Sequence, residues 1–118
     1  MATLKNISFH PYPGRIRLSI NLLEELDYPK YVRFMINTTS KEVAVQVSSK
    51  EDSQALKVFY NNKITQGAML HSTLVLRKIF EEMKWDTNFV YRTTEYRMSG
   101  SNIIIVKLDT AKQVKRYS

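Results

Sequence analysis

The amino-acid sequence predicts an α+β fold in which two similar halves, each with the order β-β-α-β-β, share one core. Two observations predict the class: short segments in which apolar and polar residues alternate, and two longer segments with apolar residues at helical spacing. A recurring pattern predicts that the halves, about residues 1–50 and 54–110, form an internal repeat. We therefore expect an antiparallel sheet or a small barrel, closed by both halves, with two helices.

The repeat rests on a spacing that occurs twice. Residues 14–19 and 67–72 both begin with Gly and end with Ser, and each is followed by a helix-like segment that ends near two adjacent glutamates. These are Glu24-Glu25 in the first half and Glu81-Glu82 in the second. The second Ser lies four residues farther from its glutamates, which is close to one helical turn and keeps the apolar face in phase.

The first half begins with two strand signals. Ile7 and Phe9 form a short alternating segment before the prolines at positions 11 and 13. In residues 15–18 the apolar side chains alternate with arginines, which is the period of a strand with one buried face. Arg15 and Arg17 are therefore predicted to lie side by side on the exposed face.

A helix and a hairpin follow in the first half. Leucines at positions 22, 23 and 26 predict the helix, which Ser19 or Asn21 caps and Pro29 ends. Alternating residues 31–37 and 43–47, joined by a polar loop, predict the hairpin.

The second half predicts a strand at residues 56–60 and then the longer helix. Ser72 or Thr73 caps this helix, whose apolar residues recur at helical spacing as far as Met83. A final hairpin is expected between residues 89–98 and 103–108.

Composition is typical of one ordered domain spanning residues 1–118. The chain is 43% apolar, has 3 glycines and 3 prolines, and contains no cysteine, which excludes disulfides and thiolate metal sites. Its formal charge of +7 indicates a polyanionic partner or a solubility feature, and residues 111–118 are expected to form a basic, flexible tail. No apolar segment is long enough to cross a membrane, so we expect a soluble, cytoplasmic protein.

The sequence contains few residues of the types, and none of the motifs, that usually indicate catalysis or cofactor binding. His10 and His71 are the only histidines, and neither has metal-ligand spacing to a carboxylate. The three glycines are isolated and match no phosphate-binding loop. The sequence therefore predicts no enzyme, no cofactor, no metal and no small-molecule substrate.

Residues 14–28, with the following residues 32–36 and 43–47, resemble the SpoVT/AbrB-type DNA-binding module. In that family, a swapped-hairpin barrel of transition-state regulators and many antitoxins, a Gly-Arg step, a strand, a helix and a hairpin follow in this order. Ser19 stands where the family usually has proline, and Asp27 where it has glycine at the helix end. The resemblance implies a double-stranded DNA partner and a contact role for Arg15.

The chain departs from the family pattern in two places. Residues 8–10 are Ser-Phe-His, where family members tend to carry basic residues that help to form the DNA-binding face. The second half has Ala68 and Met69 where the first has Arg15 and Ile16. At most one half therefore keeps a good copy of the family's basic surface.

These observations favour a small basic DNA-binding protein, either a transcriptional regulator or an antitoxin-like module, of bacterial or phage origin. Arg15 and Arg17 are the predicted contacts with phosphates or bases. Lys5, Arg33 and Arg92 are predicted to add supporting positive charge.

Two alternatives fit the same sequence. One is a non-catalytic interaction or assembly module that binds a protein partner or a second copy, with incidental basic charge. The other is binding of single-stranded nucleic acid by interleaved aromatic and basic residues. These are Tyr91, Arg92, Tyr96 and Arg97 of the last hairpin, Arg77 and Lys78 of the preceding helix, and Tyr31 and Arg33 of the equivalent first-half strand.

Overall fold

Strands account for most of the regular structure in the computed structural model, which describes residues 6–12, 14–60 and 67–116. In chain order, the strands are β1 (Ile7–His10), β2 (Arg15–Leu18), β3 (Tyr31–Asn37), β4 (Glu42–Val47), β5 (Leu56–Lys57), β6 (Phe59–Tyr60), β7 (Ala68–His71), β8 (Phe89–Thr93), β9 (Tyr96–Met98), β10 (Ile103–Lys107) and β11 (Lys112–Arg116). The α-helices are α1 (Ile20–Glu25) and α2 (Thr73–Met83), and a short 3-10 helix covers Leu108–Thr110.

The strands form two antiparallel sheets. The strand order is β11-β8-β1-β2-β7-β6 in sheet A and β5-β3-β4-β10-β9 in sheet B. The expected α+β class, with antiparallel pairing and two helices, is confirmed. Sheet A contains strands from both ends of the chain, because β1 lies between β2 and β8.

One core joins the inner faces of both sheets and the apolar faces of both helices. Sheet A contributes Ile7 and Phe9 of β1 with Ile16 and Leu18 of β2, all of which are at most 1% exposed. Sheet B contributes residues 43, 45, 104 and 106, and the two helices contribute leucines, Ile79 and Phe80. The period-two alternation that predicts these strands also selects the side chains that are buried.

Both helices begin at the serines that the repeat singled out. Ser72 caps α2 with its side chain, whose oxygen accepts a hydrogen bond from the Val75 N–H at 3.1 Å. Ser19 occupies the same position before α1, but its Oγ accepts from the Asn6 N–H at 2.9 Å instead of from its own helix. Asp27, which follows α1, has a left-handed backbone (φ 58).

Three aromatic rings fix the end of α2 against sheet A. Trp85 stacks on Tyr91 with ring centroids 4.3 Å apart, and Phe80 meets both rings edge to face. The Tyr91 hydroxyl accepts hydrogen bonds from the Asp86 N–H and from Nε2 of Gln113. This cluster accounts for the near-complete burial of Tyr91 at 6% exposure.

The last hairpin is shorter than the sequence predicts. Residues 89–98 do not form one strand, since β8 lies in sheet A and β9 in sheet B, and only β9 pairs with β10. The chain changes sheets at residues 94 and 95, where the buried hydroxyl of Thr93 accepts a hydrogen bond from the Glu95 N–H. The sequence does not indicate this change of sheet, because apolar and polar residues alternate with the same period in both strands.

The C-terminal segment also differs from expectation. Residues 111–118 are expected to be a flexible tail, yet residues 112–116 pair with β8 as the edge strand β11. The bond from Gln113 to Tyr91 ties this strand to the core. Lysine at an edge strand is common, because its charge discourages pairing with another sheet.

The two Gly-to-Ser segments present opposite faces when they are aligned residue by residue. In the first, residues 16 and 18 point inward, whereas in the second the inward residues are Ala68 and Leu70. The equal spacing therefore aligns outward Arg15 with inward Ala68. The two halves can therefore be compared in the order of their elements. In this strand, however, the inward residues of the second half are shifted by one position relative to those of the first.

We expect two glycine substitutions with equal backbone strain to differ sharply in their effect on stability. Gly67 (φ 78) and Gly100 (φ 79) both have left-handed backbones, but a Cβ at Gly67 would overlap the Leu18 carbonyl oxygen. At Gly100 the nearest atom would be 4.0 Å away. Gly100→Ala should lower the free energy of unfolding by about 1 kcal/mol, and Gly67→Ala by about 3 kcal/mol or more.

Urea unfolding followed by circular dichroism measures both values. Equal losses in the two variants would show that the close approach of Gly67 to β2 contributes nothing beyond backbone strain.

Candidate nucleic-acid interface

The outer face of sheet A carries a line of cations. Because β1 pairs with β2 and β8, and β8 pairs with β11, four residues align across the sheet in the order Lys112, Arg92, Ser8, Arg17. In β1, β2 and β8 the neighbours of these residues are buried, so the side chains lie on the opposite face, where Ser8 is only 4% exposed. Lys112 lies on the same face because it pairs with Arg92. Arg17, Arg92 and Lys112 are exposed. We call these three residues together with Arg15 the cationic face.

Strand spacing sets the width of this face. Adjacent strands lie about 4.8 Å apart, so Arg92 and Lys112 are neighbours, and Arg17 and Lys112 are three strands or about 14 Å apart. Long flexible side chains on a rigid sheet can adjust to an array of phosphates while their attachment points stay fixed.

Arg15 lies in a second line across the same face, with a histidine on each side. His10 of β1 and His71 of β7 are its direct cross-strand partners. The Ser8 hydroxyl lies 3.1 Å from Nε2 of His10. Nε of Arg15 is buried and has no hydrogen-bond partner in the described part of the chain. The guanidinium is therefore half-buried at its base.

Apolar and aromatic side chains border the face at its other end. The line through Arg17 continues to Met69 of β7 and Phe59 of β6. The Phe59 ring is 48% exposed, lies edge to face with His71 at 5.7 Å, and has Nζ of Lys57 5.3 Å from its centroid. The face thus changes from cationic to aromatic along one direction.

The outward positions of sheet A carry no carboxylate within the described residues. Acidic groups occur at one boundary, where Glu95 and Asp109 line a cleft of about 640 Å³ together with Arg92 and Lys112. The positive potential of the face is therefore unopposed except at that boundary.

Arg33 lies on the other sheet and is already paired. It is in β3 of sheet B, where NH1 is 3.3 Å from Oδ2 of Asp52 and NH2 donates to Gln54 at 2.8 Å. The Gln54 N–H and the Ser48 hydroxyl, with a smaller contribution from Arg33, hold the pKa of the Asp52 carboxyl below its usual value. Arg33 therefore does not join Arg15, Arg17 and Arg92.

Arg97 is paired in the same way. Its NH1 donates to Oε2 of Glu42 at 2.6 Å, and this hydrogen bond lowers the pKa of the Glu42 carboxyl and raises that of Arg97. A third ion pair joins Lys41 and Glu82 at 2.8 Å. All three pairs involve cations that lie outside the cationic face.

Of the five predicted nucleic-acid contacts, the structure brings three together. Arg15, Arg17 and Arg92 share the outer face of sheet A, Arg33 does not, and Lys5 lies outside the described residues. Sequence reasoning missed Lys112, because it assigned that residue to a flexible tail. The alternation of residues 112–114 is too short to indicate a strand by itself.

The interleaved tyrosines and arginines near residues 91–97 do not form one surface. Tyr91 is buried in the aromatic cluster, and the Tyr96 hydroxyl donates to Glu25 at 3.2 Å. Arg92 lies on sheet A and Arg97 on sheet B. The change of sheet at residues 94 and 95 separates these side chains.

Comparison of the chain with protein-family models, curated proteins and solved structures returns no match. Among the described residues, no group of three or more His, Asp or Glu side chains is placed to hold a metal ion. No helix in the same ranges has the length and apolar character needed to cross a membrane.

The lowered pKa of Asp52 predicts how the stability of the fold depends on pH. A carboxyl whose pKa is lower in the folded than in the unfolded state stabilises the fold above the unfolded pKa, and this contribution is lost as the pH falls through the folded pKa. We expect Asp52→Asn to lower the thermal unfolding midpoint at pH 7 and to leave it nearly unchanged near pH 2 (about two units below the ordinary value).

Calorimetry of both proteins across this pH range measures the difference. Glu51→Gln, which removes an adjacent exposed carboxylate, is the control and should leave the midpoint unchanged at both pH values. A loss for Asp52→Asn that is equally large near pH 2 would contradict the pKa argument.

Proposed function

We propose that this protein binds double-stranded DNA through the cationic face of sheet A. The observation that carries the proposal is the contrast between two sets of cations. Arg15, Arg17, Arg92 and Lys112 share one face whose described strands carry no carboxylate, and Glu95 and Asp109 lie only at its boundary. Arg33 and Arg97, in contrast, each form an ion pair, with Asp52 and Glu42. Unpaired cations held on a rigid surface favour a polyanion, because binding releases its counterions.

The dimensions favour a duplex over a single strand. The face is about 14 Å wide at its cations, which is close to the width of about 12 Å of the major groove between its two phosphate backbones. Single-strand binding needs aromatic side chains among the cations. The exposed Phe59 ring lies at the border of the face, on the far side of Met69 from Arg17, and not among the cations.

The proposal includes an internally duplicated module of the swapped-hairpin kind. Each half supplies an antiparallel strand pair followed by a helix, and the two pairs meet where β2 joins β7. Each half also approaches the other through a glycine: Gly14 lies against Thr73 at the start of α2, and Gly67 lies against the N–H of Ile20 at the start of α1. Such reciprocal contacts support an intramolecular twofold arrangement.

A small DNA-binding module of this kind fits a cytoplasmic transcriptional regulator or an antitoxin-like protein of bacterial or phage origin. It requires no catalysis and no cofactor. The cationic face would position the protein on the phosphates, and residues at its edges would add any sequence preference.

The test compares two double variants with the same net charge. Arg17→Ala/Arg92→Ala removes two unpaired cations, and Arg33→Ala/Arg97→Ala removes two paired ones. The first should weaken binding to a duplex of about 20 base pairs by about tenfold to a hundredfold and reduce the slope of log affinity against log salt by about 2. The second should change both values little.

Fluorescence anisotropy in a salt series measures affinity and slope. Equal losses in both variants would contradict the proposed face and leave only a net-charge effect. Tighter binding to the single strand of the same sequence, abolished by Phe59→Ala, would replace the duplex with a single-stranded ligand.

A further inference from the structure

Two histidines flank Arg15 at one end of the outer face of sheet A. His10 of β1 and His71 of β7 are its direct cross-strand partners, so the three side chains share one face in the order His10, Arg15, His71. The Cβ atoms of direct partners lie about 5 Å apart, which spreads the three side chains over about 10 Å. We call these three residues the histidine row.

Arg15 forms no ion pair among the described residues. The ion pairs in that part of the chain use Arg33, Lys41 and Arg97 instead. Nε of Arg15 is buried without a hydrogen-bond acceptor, which is costly for a charged group. An oxyanion bound at the guanidinium would balance this charge and supply acceptors for its donors.

The surroundings of His71 are aromatic and cationic. The Phe59 ring lies edge to face with His71 at a centroid distance of 5.7 Å, and Nζ of Lys57 lies 5.3 Å from the centroid of the same ring. Arg15 and Lys57 are thus the charged groups that face His71 from the neighbouring strands. Protonation of His71 adds a further cation, which an external anion can balance.

His10 is held in the row by Ser8. The Ser8 hydroxyl lies 3.1 Å from Nε2 of His10 and can accept a hydrogen bond from the protonated ring. The charged groups nearest to His10 on the paired strands are Arg15 of β2 and Arg92 of β8, which is the partner of Ser8. Protonation of His10 therefore also adds a cation among cations.

We propose that the histidine row binds one phosphate group of the DNA backbone and that both histidines are protonated in the complex, so that DNA binding takes up protons. The guanidinium of Arg15 donates to the phosphate oxygens, and His71 donates from one side. His10, whose ring contacts Ser8, contributes its charge. This inference rests on the proposed function, to which it adds the position of one phosphate and a dependence on pH.

The composition of the chain sets the pH range of the effect. Imidazole changes charge between about pH 5 and 8, and His10 and His71 are the only histidines in a chain without cysteine. A phosphate bound beside a histidine favours the protonated ring, so the affinity rises as the pH falls. We expect the affinity for duplex DNA to be about tenfold higher near pH 6 than near pH 8.

Fluorescence anisotropy with a duplex of about 20 base pairs measures this dependence. The duplex has no terminal phosphates, which restricts the ligand to the backbone. His10→Gln/His71→Gln should remove most of the difference between the two pH values, and Arg33→Ala/Arg97→Ala, whose cations lie on sheet B, should keep it. Wild-type affinity that does not change with pH, or a histidine variant that keeps the full pH dependence, would overturn the proposal.

Inorganic phosphate tests the histidine row without DNA. NMR follows the histidine ring protons near pH 7 while phosphate replaces chloride at constant ionic strength, up to about 20 mM. Both rings should move towards their protonated positions in the wild type and in Arg77→Gln, which removes an exposed arginine of α2. Neither ring should move in Arg15→Gln. Rings that stay unshifted in the wild type, or that shift equally in Arg15→Gln, would contradict the phosphate site.

The two measurements separate this inference from the proposed function. A chain that binds the duplex at neither pH would contradict the proposed function, and the phosphate titration would still decide whether the histidine row is a phosphate site. Circular dichroism confirms that each variant is folded. If the double histidine variant is unfolded, His71→Gln, at an exposed position, should remove about half of the pH dependence.

Discussion

The alternation of β1 and β2 is the constraint on which the core and the proposed interface both depend. The same short strands place Ile16 and Leu18 among fully buried side chains and place Arg15 and Arg17 on the opposite face. A shift of one residue in this register would bury two guanidiniums and expose two core residues, a cost far above typical domain stability. The positions of the cations are therefore fixed by the packing of their neighbours.

The cations of the chain have different surroundings on the two sheets. On sheet B, Arg33 and Arg97 each lie beside a carboxylate that partly cancels their charge. On sheet A, the cations lie next to Ser8, histidines and one another, and two carboxylates, Glu95 and Asp109, line the cleft at the boundary of the face. The net charge of +7 does not show which cations are ion-paired, whereas the pairing of the strands does. The position of each cation on its sheet is therefore more informative about binding than the composition.

Most of the elements could be predicted from the sequence because their signals are local. The longer helix, the hairpin at residues 31–47 and the outward position of the arginines of β2 follow from spacing and alternation alone. Apart from the strands joined in hairpins, the partners of the strands could not be predicted. Nothing local indicates that the chain changes sheets after Thr93, or that β8 lies between β1 and β11, and these two facts separate Tyr91 from Arg97 and bring Lys112 beside Arg92.

The pairing of β1 with β8 also bears on how the protein folds as it is synthesised. Ile7 and Phe9 are synthesised well before their second cross-strand neighbours, Thr93 and Tyr91, because most of the described elements lie between them in the chain. Until then, β1 remains an open edge of a partial sheet, and the core lacks Tyr91 and its aromatic neighbours. Pairing over so long a stretch of chain forms slowly, and an open strand edge favours aggregation until its partner strand arrives.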